Sequence, residues 1–253
     1  MLNGRKPLSL PAQIFDLLLI ELTNWRWSWR SMLIIATIAP LLSIVALGVF
    51  ARDAGPEALR YVLTGNVVMA LMFGIMGNVQ SRFNFMRVMG GLDFFATLPV
   101  SKFALILAVV LGFLLLSLPS IVVTAGLGAL ILGVPLSISP LILLVVPACA
   151  VPLAGIGAII GIRGRTPQES GAINLLVTLV LAGLGPVLIP PERLPDWLVA
   201  VGRASPATYA ASALRETLLG PVTAALAVDL LALCSFGLVS FWLVGRYLDW
   251  RQR

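Results

Sequence analysis

Asp229 is the only charged residue between Val222 and Gly245. A carboxylate inside an apolar stretch is expensive to bury and reads as a candidate proton or cation site. The other reading places it near the outer interface, paired with an arginine such as Arg215 or Arg60. Asn66, Asn78 and Asn174 also fall in apolar stretches, where amides line a path or hold helices together. Beyond these, the sequence offers little chemistry. It contains no histidine, which excludes histidine acid–base catalysis and histidine metal ligation. Cys149 and Cys234 stand far apart in apolar segments and read as small packing residues, in no zinc-binding or disulfide pattern. The two lysines, Lys6 and Lys102, belong to no G-x-x-x-x-G-K-[ST] phosphate loop. No catalytic residue, metal site or cofactor is therefore expected in this chain, and any ATP must be handled by another subunit.

The elements that hold these residues follow from composition. Of 253 residues, 59% are hydrophobic and 11% charged, with mean hydropathy +1.03. A soluble domain carries about 25% charged residues. This chain cannot cover a water-facing surface and reads as one block of membrane helices. The net charge of +6 comes from basic residues lying between apolar stretches. That is a topology signal rather than a nucleic-acid surface, so no nucleic-acid partner is expected.

A spanning helix needs about 20 apolar residues. The gaps between charges give spans at 31–50 and 61–79. Between Lys102 and Arg163 lie 60 uncharged residues. As one helix they would measure about 90 Å, or three bilayer cores, so the segment must double back at the breaker-rich stretch 133–140. That gives spans at 103–132 and 141–162. The last two fall at 172–189 and 222–245. The expected fold is an all-α membrane protein of six transmembrane helices in a single domain, 1–253. Pro119, Pro147 and Pro152 predict kinks. Gly157 and Gly161 form a G-x-x-x-G that predicts close helix contact.

Six spans put both termini on one side. That side carries twelve of the lysines and arginines and the other side five. By the positive-inside rule both termini are cytoplasmic. The first 30 residues carry Asp16, Glu21 and three tryptophans and do not resemble a cleavable signal peptide.

Four segments stand outside the plain spans. In 1–30, Phe15, Leu18, Leu19 and Leu22 share one helical face, and Trp25, Trp27 and Trp29 alternate with Arg26 and Arg30. This is the pattern of an amphipathic helix in the headgroup layer, acting as a lipid anchor, a lever on a cytoplasmic partner, or both. The cytoplasmic loop 81–102 is too apolar for a solvated connector. Gly90-Gly91 breaks it into two short helices at an angle. It either lies on the membrane or inserts as a knob into a soluble subunit, and the second reading fits better. The segment 190–221 is rich in proline and predicts short helices at 194–201 and 207–219 that re-enter the outer leaflet. There Arg193, Arg203 and Arg215, with Tyr209, are candidates for an exit. The turn 163–171 reads as a capped helix start at Thr166-Pro167.

Three groups of residues carry a family resemblance. Asn24-Trp25-Arg26 precedes span one. The loop after span two reads Arg87-x-x-Gly90-Gly91-Leu92-Asp93-Phe94-Phe95-x-Thr97-Leu98-Pro99-Val100-Ser101-Lys102. The segment before the last span reads Leu194-Pro195-Asp196-Trp197-Leu198, then Ser205-Pro206-Ala207-Thr208-Tyr209, then Leu214-Arg215. In this order the chain resembles a permease subunit of the ABC-2 type bacterial exporters. Gly91, Asp93 and Ser205 stand where threonine, glutamate and asparagine are common in that family.

The resemblance implies six helices per subunit, an interfacial connecting helix and short re-entrant helices before the last span. It implies a dimer of two permease subunits, homo- or heterodimeric, pairing with cytoplasmic ABC ATPase subunits that hold ATP and Mg. It implies a coupling helix at Arg87, Gly90, Gly91, Leu92, Asp93, Phe94, Phe95 and Leu98, docked on the ATPase. It places the chain, surrounded by lipid, in the bacterial inner membrane, exporting a drug, lipid or other amphipathic molecule. The rival expectations are a proton-coupled carrier using Asp229, an intramembrane enzyme, and a membrane-anchored assembly protein.

Overall fold

A computed structural model describes residues 9–25 and 29–248. Among them the fold is all helical, 84% helix with no strand. The helices in chain order are α1 (Leu10–Trp25), α2 (Trp29–Ala54), α3 (Pro56–Leu71), α4 (Gly77–Val88), α5 (Gly91–Thr97) and α6 (Lys102–Leu132). They continue with α7 (Ile142–Arg163), α8 (Pro167–Gly183), α9 (Asp196–Gly202), α10 (Pro206–Leu219) and α11 (Ala225–Tyr247).

Five helical stretches are long and apolar enough to cross a membrane: Met32–Ala54, Pro56–Val88, Lys102–Leu132, Ile142–Arg163 and Ala225–Tyr247. The segment expected at 172–189 ends earlier, because α8 stops at Gly183 after 17 residues.

The second stretch differs most from the charge-gap reading. A π turn at Met72–Met76 joins α3 to α4 without a break. The continuous helix has 33 residues, about 50 Å at 1.5 Å per residue, against a hydrocarbon core of about 30 Å. Arg82 and Arg87 do not end it, since each finds a partner inside the protein. The first half of 81–102 is thus the projecting end of span two, not a separate helix. The break comes at Gly90, whose φ of 70° is left-handed.

Local chemistry sets the other boundaries. Ser101 caps α6 by accepting from Ala104 N at 3.1 Å. Thr166 caps α8 by accepting from Glu169 N at 3.1 Å, and Glu169 accepts from Arg165 N at 3.1 Å. Gly133 ends α6 in the left-handed region. Pro56, Pro167 and Pro206 start α3, α8 and α10, where no amide proton is needed.

The core sits where α3, the π turn and α4 meet α6 and α7. Leu63, Leu71, Met72, Ile75, Met76, Phe83, Leu105 and Leu153 are fully buried there. The G-x-x-x-G of α7 faces this layer. A Cβ at Gly157 would collide with the Met76 carbonyl oxygen, and one at Gly161 with that of Gln80. The absence of side chains is what lets α7 lie against the π turn and α4. On its other side α7 meets α11, where Gly155 seats Ser240 and Gly237 seats Val151.

The face of α1 is not the apolar one read from the sequence. Gln13, Leu17 and Glu21 are buried, while Phe15 and Leu19 are 60% and 46% exposed. The polar pair turns inward because Ser101 and Arg82 offer it partners.

Candidate functional site

The sequence concentrates its candidates in the hairpin α4–α5, and the structure gives that hairpin two faces. The inward face is built by Leu92 and Phe95, which are buried, with Gly91 lying close against the Met86 backbone. This seats α5 back across the end of α4. The outward face carries Val88, Met89, Phe94 and Leu98. Phe94 is 62% and Met89 68% exposed. Asp93 is exposed on the same turn. A short helix is marginal alone; this one is held by Leu92, Phe95 and the Gly90 turn, which fix the direction its apolar tip presents.

Four side chains tie the hairpin to its neighbours. Arg82 donates to Glu21 Oε1 of α1 from Nη2 at 2.7 Å and from Nε at 3.0 Å. Asn84 Nδ2 donates to Gly164 O at 3.0 Å and Gly161 O at 3.3 Å. Arg87 Nη1 donates to Ile162 O at 2.7 Å and Gly164 O at 2.9 Å. These carbonyls end α7, where a helix leaves acceptors unpaired and favours a cation. At the far end of the hairpin, Lys102 Nζ donates to Leu248 O, just past α11. Ser101 N donates to Gln13 Oε1 of α1 at 2.9 Å.

Arg87 was expected on the docking face. Its Nη1 instead points inward to α7. Arg82, Asn84, Ser101, Lys102, Gln13 and Glu21 were not singled out by the sequence reading. The signal was present in Glu21 and Arg82, two opposite charges on helices 61 residues apart in sequence, but nothing in sequence spacing pairs residues so far apart.

Of the interfacial candidates, Trp25 ends α1 and Trp29 begins α2. Arg26 and Trp27 lie outside the described residues.

The remaining candidates fall into separate places. Asn78 Nδ2 donates to Gly74 O at 2.7 Å, inside the π turn. Asn66 Nδ2 donates to Val62 O at 2.7 Å and its Oδ1 is buried without a partner. Asn174 is buried in a stripe with Ser170, Thr178 and Ala182 along α8. A cavity of about 110 Å³ opens between α4 and Pro167, lined by Gln80, Ser81, Asn84, Phe85, Val88 and Met89. No charged side chain lines it.

At the opposite end of the bundle, α10 packs among α3, α7 and α11. Arg215 lies over the Tyr61 ring, 3.5 Å from its centroid, and its Nε and Nη2 are buried without hydrogen-bond partners. Asp229 is 7% exposed, with Oδ2 buried and unpartnered. Among the described residues it forms no ion pair with Arg215 or Arg60; Arg60 pairs with Glu57 at 4.0 Å. Arg193 Nη2 donates to Ala54 O at the end of α2, 2.6 Å away, and Tyr209 donates to Arg203 O at 2.8 Å. Arg193 and Arg215 thus serve separate contacts.

Comparison with known proteins decides what kind of protein carries this arrangement. The model of the ABC-2 type transporter family matches residues 12–219, from α1 through α10. The chain belongs to the ABC-2 type transporter family. It is a permease of that family, a transmembrane transport protein. A daunorubicin resistance ABC transporter permease protein, DrrB1 of Streptomyces coeruleorubidus, is 28% identical over 214 residues, 76% of this chain and 73% of that protein. The matched region of this ABC-2 permease contains the α4–α5 hairpin and all its ties except the one to Leu248.

Proposed function

We propose that this ABC-2 permease forms the membrane pathway of an ATP-driven exporter, pairs with a second permease subunit, and docks a cytoplasmic ATPase on the α4–α5 hairpin. The observation that carries this reading is the exposed apolar tip of α5. Phe94 on α5 and Leu98 just after it stand outward on an element that Leu92 and Phe95 anchor, and Val88 and Met89 stand outward beside them at the end of α4. A patch of this kind at a projecting end favours a protein partner. ATP and Mg belong to that partner.

In this reading the chain crosses the inner membrane six times, with α8 continued by 184–189 as the fifth crossing. Both ends lie on the cytoplasmic side, which the excess of Lys and Arg there supports. The short helices α9 and α10 re-enter the outer leaflet. The cargo is an amphipathic molecule. The drug named for the similar DrrB1 permease makes daunorubicin the first one to try.

The test is ATP-dependent daunorubicin uptake into inverted vesicles bearing the permease and its ATPase. Uptake that needs ATP and persists after the proton gradient is collapsed is expected. Uptake that vanishes with the gradient would replace this reading with the Asp229 carrier.

A further inference from the structure

Near the hairpin, α4 and α6 make few direct contacts with each other. The helix between them is α1. It packs along α6, with Leu18 and Glu21 against Gly112. It reaches α4 through Glu21 and the start of α6 through Gln13. Two polar side chains, 6% and 7% exposed, are thus spent on holding the two ends of one hairpin.

We propose that the Arg82–Glu21 pair is a positioning element for energy coupling: it makes α1 and the α4–α5 hairpin one rigid lever, so that a push on α5 moves α6 as well. This rests on the ATPase docking just proposed. Three features support it. Both Arg82 contacts converge on a single carboxylate oxygen at 2.7 and 3.0 Å, which fixes the separation of the two helices. The pair is nearly out of water, so it is screened far less than a surface pair. The second tie, Gln13 to the Ser101 amide, lies two helical turns away on the same α1 face, and two ties resist the rotation that one would allow. Without the pair, α4 and α5 can shift together while α1 and α6 stay behind.

The experiment uses the intact permease–ATPase complex in a Cys234→Ser background, with nitroxides at Thr23→Cys on α1 and Ser81→Cys on α4. Pulsed EPR distances are compared without nucleotide and after trapping with ADP–vanadate. The expected result is one narrow distance, unchanged on trapping, that broadens or shifts in Arg82→Gln. A wild-type distance that itself shifts on trapping overturns the lever, because α1 then moves independently. The second measurement is daunorubicin uptake per ATP hydrolysed. It should fall about tenfold in Arg82→Gln with ATPase binding retained, and return when Glu21→Arg is combined with Arg82→Glu. Wild-type coupling in Arg82→Gln overturns the lever and leaves docking intact. Loss of ATPase binding in Arg82→Gln also overturns it, since the pair would then serve docking. A folded charge-swap variant that couples no better than the single variants does the same.

Discussion

Arg82 and Glu21 meet across 61 residues of sequence, Nη2 to Oε1 at 2.7 Å, with the carboxylate 6% exposed. The pair joins a helix read as a lipid anchor to the end of a helix read as a loop. Removing one partner strands a buried charge, which costs about 3–5 kcal/mol, whereas replacing both with apolar residues is often neutral. We therefore expect Arg82→Met to lower the thermal midpoint in detergent sharply. Arg82→Met with Glu21→Met should recover most of the loss. Equal midpoints for the single and double variants would show that Glu21 is not held by Arg82.

Phe94 and Leu98 contribute nothing to the permease core, being 62% and 40% exposed. Phe94→Ala with Leu98→Ala should leave the thermal midpoint within about 0.5 kcal/mol of wild type, as surface changes do, while uncoupling ATP hydrolysis from transport. Leu92→Ala acts from the other side of α5. It empties a buried site, costs about 2–5 kcal/mol, and should lower both stability and coupling. Transport at full rate in the first double variant would remove the docking assignment.

How far the sequence carried depended on whether a feature is local. The breakers at Gly90 and Gly133, the cap at Thr166 and the apolar runs around Pro119 and Pro147 declare themselves within a few residues, and α6 and α7 are where the spacing puts them, whereas α8 starts and ends earlier than the expected 172–189. Charge gaps misplaced the end of span two. Arg82 and Arg87 look solvated in sequence, yet Glu21 and the α7 carbonyls take them, and those partners are remote. The apolar face of α1 was misread for a related reason. In a bilayer, apolar side chains face outward at no cost, so hydrophobicity alone does not identify the packed face. The apolar character of α5 was legible as a whole, but its two faces were not: Leu92 and Phe95, expected on the docking face with Phe94 and Leu98, are buried against the protein. The π turn carries no signal that spacing could reveal.

Gly161 is tight by necessity, since a Cβ there would meet the Gln80 carbonyl and the Phe83 side chain. Gly161→Ala should cost about 1–3 kcal/mol through overpacking, read as a lower midpoint and lower yield. Gly126, with open space around its Cβ position, should tolerate alanine. A Gly161→Ala variant as stable as wild type would mean that α7 and α4 do not pack this closely.

Asp229 discriminates the two transport classes. Its Oδ2 lacks a partner, and among the described residues the carboxylate forms no ion pair, with Arg60 taken by Glu57 and Arg82 by Glu21. Asp229→Asn should leave ATP-driven uptake within about twofold of wild type, a change under 0.5 kcal/mol in barrier. Complete loss of uptake, with folding and ATPase binding intact, would put a proton or cation step at the centre of transport.

The account stands on whether the α4–α5 hairpin holds an ATPase. The most direct measurement is co-purification of the tagged permease from its native operon in mild detergent. We expect a stoichiometric soluble partner with ATP hydrolysis activity, lost when residues 90–98 are replaced by a polar linker and kept in Asp229→Asn. A partner that stays at full stoichiometry on the linker variant, or no ATPase in any detergent that preserves the permease, would contradict it.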